Sequence, residues 1–212
     1  MTKISQLRKD YGQGQLQRPN LDPSPFAQFR EWLNEAIDQR VMEPTAMCLS
    51  TVDNNGMPHS RVVLLKDLTD NGFTFFTNYL SDKGKQMEQN PKVALNFFWA
   101  ELERQVRITG VVEKTPEDVS DNYFASRPPA SKLGAWASPQ SQPVDDKFVA
   151  QEFERLSNQM GDQKIKRPPH WGGYQVVPLT FEFWQGRTSR LHDRFRYSIN
   201  QQGQWHIERL AP

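Results

Sequence analysis

Cysteine is nearly missing from this sequence. Cys48 is the only one in 212 residues, so no intrachain disulfide can form and a thiolate metal site is disfavoured. Its setting, Ala46-Met47-Cys48-Leu49, is apolar and suits a buried, inert thiol. Long apolar runs are missing too: none approaches the ~18 residues that a membrane helix needs. Residues 1–12 lack the apolar centre of a signal peptide. A cytoplasmic protein with no membrane partner is the expectation. Neither sign of charge is in excess, with 26 basic and 25 acidic residues for a formal net charge of +1. That balance argues against a nucleic-acid partner. Local clusters such as Arg187, Arg190, Arg194 and Arg196 suit one small anion instead. No Gly-x-Gly-x-x-Gly follows a strand and no Walker-type loop is present. The histidines (59, 170, 192 and 206) are dispersed without metal-ligand spacing, so no metal is expected. No nucleophile elbow marks a Ser-His-Asp hydrolase.

The mean hydropathy is low, −0.76, and aromatic residues make up 11% of the chain. Those aromatics must therefore carry much of the core or an interface. Residues 1–24 are polar and hold several glycines and prolines. They read as a flexible arm or lid, with a short helix at 3–11, ahead of a single domain over 25–212. Ser24-Pro25 supplies an N-cap and a first-turn proline, and apolar residues at helical spacing carry that helix to 41–42. The period then shifts to that of strands. Residues 45–52 and 57–66 flank Asp53-Asn54-Asn55-Gly56, a hairpin signal. A strand at 73–77 precedes a Ser81-capped helix ending at Pro91. Further strands are predicted at 93–100, 104–114, 174–183, 194–199 and 204–209. Helices are predicted at 115–126 and from 145–146 to 160. Between them, 128–144 reads as a connection with one helical turn, and 167–173 as a rigid loop. Short turns and few intervening helices predict a mainly β, α+β protein built on an antiparallel barrel rather than a doubly wound sheet.

Several groups can carry chemistry. If residues 190–194 are extended, Arg190, His192 and Arg194 share one face and Leu191 and Asp193 the other. Two guanidiniums around an imidazole suit an oxyanion and a ring that bears a proton, with Trp184 as an aromatic wall. A solvated basic hairpin edge fits the same spacing. In Arg61-Val62-Val63-Leu64-Leu65-Lys66 strict alternation puts the two cations on opposite faces, so they serve different ligands unless a bulge intervenes. Tyr123, Arg127 and Ser131 step along a helix end and offer two hydroxyls and a guanidinium to a phosphate monoester. An ordinary helix end has the same pattern. Ser81-Asp82-Lys83-Gly84-Lys85 can present N–H groups and a lysine to an anion, although Asp82 opposes this. Gln105, on a strand, can hydrogen-bond a polar heterocycle.

Together these words resemble the pyridoxine/pyridoxamine 5′-phosphate oxidase family. The matching stretches are 61–66, Phe76-Thr77-Asn78, Leu102-Glu103-Arg104-Gln105-Val106 and Tyr123-Phe124-Ala125-Ser126-Arg127-Pro128. They continue through Gly134-Ala135-Trp136-Ala137-Ser138-Pro139-Gln140-Ser141, Pro169-His170-Trp171-Gly172-Gly173-Tyr174, 184–194 and Glu208-Arg209-Leu210-Ala211-Pro212. The resemblance implies an antiparallel split β-barrel that binds FMN at a homodimer interface. It implies oxidation of pyridoxine 5′-phosphate or pyridoxamine 5′-phosphate to pyridoxal 5′-phosphate, with O2 reduced to H2O2. Carried over by position, FMN falls to Arg61, Val62, Val63, Leu64, Phe76, Thr77, Lys83, Gln105, Gln140, Ser141, Trp184 and Arg194, some of them from the partner subunit. The substrate phosphate falls to Lys66, Tyr123, Arg127 and Ser131. Arg190 and His192 address the pyridine ring as the catalytic pair, with Arg8 and Tyr11 as a lid. Asp82 departs from the basic residue common beside Lys83 in the family, and Phe76 lacks a hydroxyl that some relatives carry. A non-catalytic flavin- or haem-binding split barrel and a nicotinamide-dependent flavin reductase are the alternatives on the same fold.

Overall fold

The computed structural model describes residues 3–7, 10–160 and 164–212. Ser24 caps the first helix, α1 (Pro25–Asp38), accepting from the Ala27 N–H at 3.4 Å, and Pro25 occupies its first turn. The helix stops short of 41–42 because Arg40 turns left-handed (φ 56°) and the Val41 N–H closes back on the Ala36 carbonyl, a Schellman-type ending. Its inner face buries Phe26, Phe29, Trp32 and Ala36. The Phe29 ring meets Phe97 at 4.8 Å and Phe73 at 4.9 Å edge-on, the geometry that ring quadrupoles favour.

Among the described residues there are nine strands: β1 (Ala46–Val52), β2 (Pro58–Leu64), β3 (Asp67–Thr69), β4 (Gly72–Asn78), β5 (Lys92–Trp99), β6 (Arg104–Lys114), β7 (Trp171–Gln185), β8 (Asp193–Ile199) and β9 (Trp205–Leu210). They form one antiparallel sheet in the order β2-β1-β5-β6-β7-β4-β3, with β8 pairing β7 and β9. The barrel is split by β7. Its first part pairs β4 as far as Val176, and from Thr180 onward it pairs β8 instead. Pro178, which has no N–H to give a neighbour, lies at the changeover. Opposite it the β6–β7 register shifts at Thr109/Gly110, and a Cβ on Gly110 would lie 2.2 Å from the Val177 carbonyl oxygen. Only glycine lets the strands pass so closely there. The mainly β, split-barrel expectation holds.

Four helices flank the sheet beside α1: α2 (Asp82–Gln89), α3 (Glu117–Ser126), α4 (Pro129–Ala137) and α5 (Phe148–Met160). The 128–144 connection is thus more ordered than expected. Pro128-Pro129 starts α4 rather than breaking it, since proline suits the first helical turn. Leu133 and Ala137 of α4 pack on Leu156 of α5 in a small second core. The expected loop at 167–173 also differs: Trp171, Gly172 and Gly173 open β7, paired with Asn78, Thr77 and Phe76. Cys48 is half-buried on the sheet's outer face rather than sealed in the core. In the arm, 3-10 turns span Ile4–Gln6 and Arg18–Asn20, and Leu16 and Leu21 are buried with the barrel core.

Candidate active site

A cavity of about 510 Å³ opens between β2, β4, α3, α4 and the start of β7. Much of what the sequence nominated lies on its wall: Val62, Val63, Leu64 and Lys66 from one edge, Phe76, Thr77 and Lys83 from another. Tyr123, Arg127, Ser131 and Gln140 line the same space. Arg61 is not on that wall. Its guanidinium donates instead to Thr51 Oγ1 at 2.6 Å and Gln86 Oε1 at 3.2 Å, beneath α2.

The wall has two cationic parts. Lys83 is buried, and its amine donates to Thr77 Oγ1 and Ser81 Oγ, both at 3.3 Å. Desolvation holds its pKa below the usual lysine value, and the charge of Arg61 pushes the same way. Neighbouring contacts tie this corner together. Ser141 Oγ accepts from the Asp82 N–H at 3.2 Å, and the Thr77 hydroxyl donates to Gln140 Oε1 at 3.5 Å.

The second part is an aromatic stack carrying a guanidinium. Phe76 and Tyr123 lie face to face, 3.9 Å between centroids, with Phe76 5.6 Å from Trp171. Arg127 sits 4.6 Å above the Trp171 ring. Its Nη1 is buried and finds no hydrogen-bond partner among the described residues. Such a group costs about 1–3 kcal/mol unless a ligand satisfies it. Burial lowers the Arg127 pKa and raises that of the Tyr123 phenol. An oxyanion of a phosphate monoester fits this donor set. Trp171, which carries the guanidinium, was not nominated as a site residue from sequence; its Trp-Gly-Gly context reads as a loop and as a stretch shared with the family, with no role assigned.

A second cavity, about 550 Å³, has none of these wall residues; Tyr11, Arg187, Arg190 and His192 line it. The expected extended stretch at 190–194 is not there. Thr188–Arg190 form a 3-10 turn in which Ser189 and Arg190 are left-handed (φ 55° and 59°), and β8 begins only at Asp193. Arg190, His192 and Arg194 therefore do not share one strand face. Arg190 is exposed, while His192 packs at 4.7 Å on Trp184, with the Tyr11 ring 5.7 Å from both. The backbone N–H of Arg187 donates to His192 Nδ1 at 3.1 Å. An imidazole accepting there carries its proton on Nε2 and offers a donor to a ligand. Arg8 lies outside the described residues.

Gln105, Trp184 and Arg194 occupy adjacent register positions on β6, β7 and β8, in one row across the outer sheet face. Arg194 is held by Glu182 at 2.8 Å and by the Ala211 carbonyl at 2.8 Å. On the same face Phe98 is 54% exposed, and the buried Asn96 Oδ1 has no partner among the described residues. Among those residues no acid, histidine or cysteine cluster fits a metal, and no helix is long and apolar enough to cross a membrane.

Comparison with known proteins finds relatives along the whole chain. Residues 33–185 match the family model described as pyridoxamine 5′-phosphate oxidase, and residues 171–212 match the pyridoxine 5′-phosphate oxidase C-terminal dimerisation region. The chain is 52% identical over its full length to the whole of pyridoxine/pyridoxamine 5′-phosphate oxidase 1 of Ralstonia nicotianae. Among solved structures it is similar to PhzG from Burkholderia lata, crystallised with tetrahydrophenazine-1-carboxylic acid. The TM-score is 0.88 at 28% identity, covering 95% of this chain and 100% of that one. It shares its fold with a pyridoxamine 5′-phosphate oxidase-related, FMN-binding protein from Nostoc punctiforme, with a TM-score of 0.73 at 18% identity over 91% of this chain and 100% of that one.

Proposed function

Because the chain belongs to the pyridoxamine 5′-phosphate oxidase family, we propose that it oxidises pyridoxine 5′-phosphate or pyridoxamine 5′-phosphate to pyridoxal 5′-phosphate with FMN as cofactor. O2 takes the two electrons and two protons and leaves as H2O2; the amine substrate also takes up water and releases ammonia. One observation carries the reading: the buried, unpaired Arg127 Nη1 in a wall that also holds Tyr123, Ser131 and Lys66. A substrate phosphate would satisfy that guanidinium and fix one end of the molecule.

The corner formed by Lys83, Ser141 and Gln140, with Arg61 behind it, fits the FMN phosphate, because a dianion would offset the desolvation of Lys83 and its repulsion from Arg61. Val62, Val63, Leu64, Phe76 and Thr77 would bound the flavin on this side. FMN, when bound, supplies the two-electron redox chemistry. The Gln105–Trp184–Arg194 row lies on another face, so a second copy in a homodimer would bring it to the flavin; the matched dimerisation region and the Asn96 Oδ1 that has no partner among the described residues support that assembly. Arg190 and His192 would address the pyridine ring, His192 as a hydrogen-bond donor through Nε2 rather than as a base, since its Nδ1 already accepts. Tyr11 would close over them.

The test is steady-state oxidation by FMN-loaded protein in air. Pyridoxine 5′-phosphate should consume O2 and yield equal H2O2 and pyridoxal 5′-phosphate, while pyridoxine without its phosphate should need a far higher concentration. Equal rates with and without the phosphate would remove the cradle, and would favour a phosphate-free ligand of the kind found on PhzG. No O2 uptake with either phosphate ester would remove the oxidase reading.

A further inference from the structure

Around Gly12 and Gln13 the arm is held through its backbone. Glu103, in the β5–β6 connection, is 2% exposed and left-handed (φ 54°). A residue with a Cβ keeps that conformation only where its surroundings over-determine it. Here the Gly186 N–H donates to the Glu103 carbonyl at 2.7 Å. Gln185 Nε2 donates to the same carbonyl at 3.3 Å and to that of Leu102 at 3.1 Å, and Arg104 Nε fixes Gln185 Oε1 at 2.9 Å. So anchored, Glu103 Oε2 accepts from the backbone N–H groups of Gly12 at 2.7 Å and Gln13 at 3.0 Å. Farther along the arm, Asp193 Oδ2 accepts from the Leu16 N–H at 3.1 Å.

The residue before the first clamped amide is Tyr11, whose ring stands against Trp184 and His192. A Cβ on Gly186 would lie 2.8 Å from the Tyr11 ring and 3.0 Å from the Glu103 Cβ, so Tyr11 and Glu103 close in on the same backbone position. On the outer side Ile4 and Leu7 are 83% and 68% exposed and give the arm little burial of their own. Inward, Leu16 and Leu21 are anchored in the core whatever Glu103 does.

We infer that Glu103 is a positioning residue that clamps the arm at Gly12 and Gln13 and thereby sets Tyr11 over the His192–Trp184 wall, where the substrate ring binds. This rests on the reading of that wall as the substrate site. Glu103→Asn tests it, since asparagine tolerates the left-handed backbone but its side chain is too short to reach the arm. In the holoenzyme, amide exchange at Gly12 and Gln13 should speed up while amides of β6 and β7 stay protected. The KM for pyridoxine 5′-phosphate should rise about tenfold or more, the worth of a charge-assisted bond pair, with kcat and flavin retention little changed. Glu103→Gln, which keeps a neutral acceptor at full reach, should recover part of that affinity. In a Tyr11→Ala background Glu103→Asn should add nothing. Gly12→Pro removes one donor from the exposed arm and should raise KM in the same way even if the Asn variant fails to fold. Unchanged exchange at Gly12 and Gln13, an unchanged KM in active enzyme, or additivity with Tyr11→Ala would each overturn the clamp. A wild-type holoenzyme inert to both phosphate esters would instead sink the functional reading beneath it.

Discussion

Replacing Arg127 by methionine separates ligand binding from folding. The buried Nη1 has no protein partner among the described residues, a loss of about 1–3 kcal/mol. The guanidinium recovers about 0.5–2 kcal/mol by lying 4.6 Å over the Trp171 ring. The two nearly cancel, and methionine fills similar space, so the variant should melt within about 4 °C of wild type. With substrate present the balance changes. Each charge-assisted bond to the phosphate contributes about 1.5–3 kcal/mol, so losing one should raise KM by about 10- to 150-fold. Turnover at saturation should fall much less, because the phosphate takes no part in the bond changes at the reacting carbon. Oxygen consumption against substrate concentration and a thermal melt of the same preparation give both quantities. A normal KM with a melting point lowered by about 10 °C or more, well over twice the shift that near-cancellation permits, would show that Arg127 is a brace for α3 and not a ligand for phosphate.

Other outcomes follow from the same geometry. Lys83 has its pKa depressed below 10.5 in the folded chain, by desolvation first and then by Arg61. The unfolded chain thus binds that proton more tightly between the depressed value and 10.5, and FMN-free protein should gain stability as pH rises through that window. Lys83→Met should flatten that rise in pH-dependent denaturant melts and weaken FMN binding by tenfold or more, about the worth of one charge-assisted contact; an unchanged slope would dissociate the amine from it. His192→Asn should raise KM and leave saturating turnover and its pH profile unchanged, whereas loss of an ionisation from the profile would make His192 a base. Phe98→Asp on the outer sheet face should turn a dimer into a monomer in sedimentation and release flavin; a dimeric, yellow variant would place the interface elsewhere. Ser24→Ala should lower stability by about 0.5–1 kcal/mol through the lost α1 cap, read from urea melts.

The hairpin at Asp53–Gly56, the Ser24-Pro25 start of α1 and the Ser81 cap of α2 were legible because local chemistry alone decides them. Tyr123, Arg127 and Ser131 were legible as a group because the end of α3 and the start of α4, only a residue or two apart, keep them together. The stretch from Arg190 to Arg194 was not. Alternation assumes an unbroken strand, and nothing in Thr188-Ser189-Arg190 announces two successive left-handed residues. Glu103 gave no signal either, since its partners at Gly12 and Gln13 lie about ninety positions away in the chain and its backbone is set by Gln185 and Gly186. Trp171 was hidden by its Pro-Pro neighbours, which suggest a loop, while the pairing that makes it strand comes from β4.

The most direct test of the oxidase reading is to add pyridoxine 5′-phosphate to the FMN-loaded protein without oxygen. Hydride transfer from the substrate should bleach the yellow flavin, and admitting air should restore the colour with release of H2O2. A flavin that stays oxidised with the phosphate ester, and bleaches only when a reduced nicotinamide is added, would contradict it.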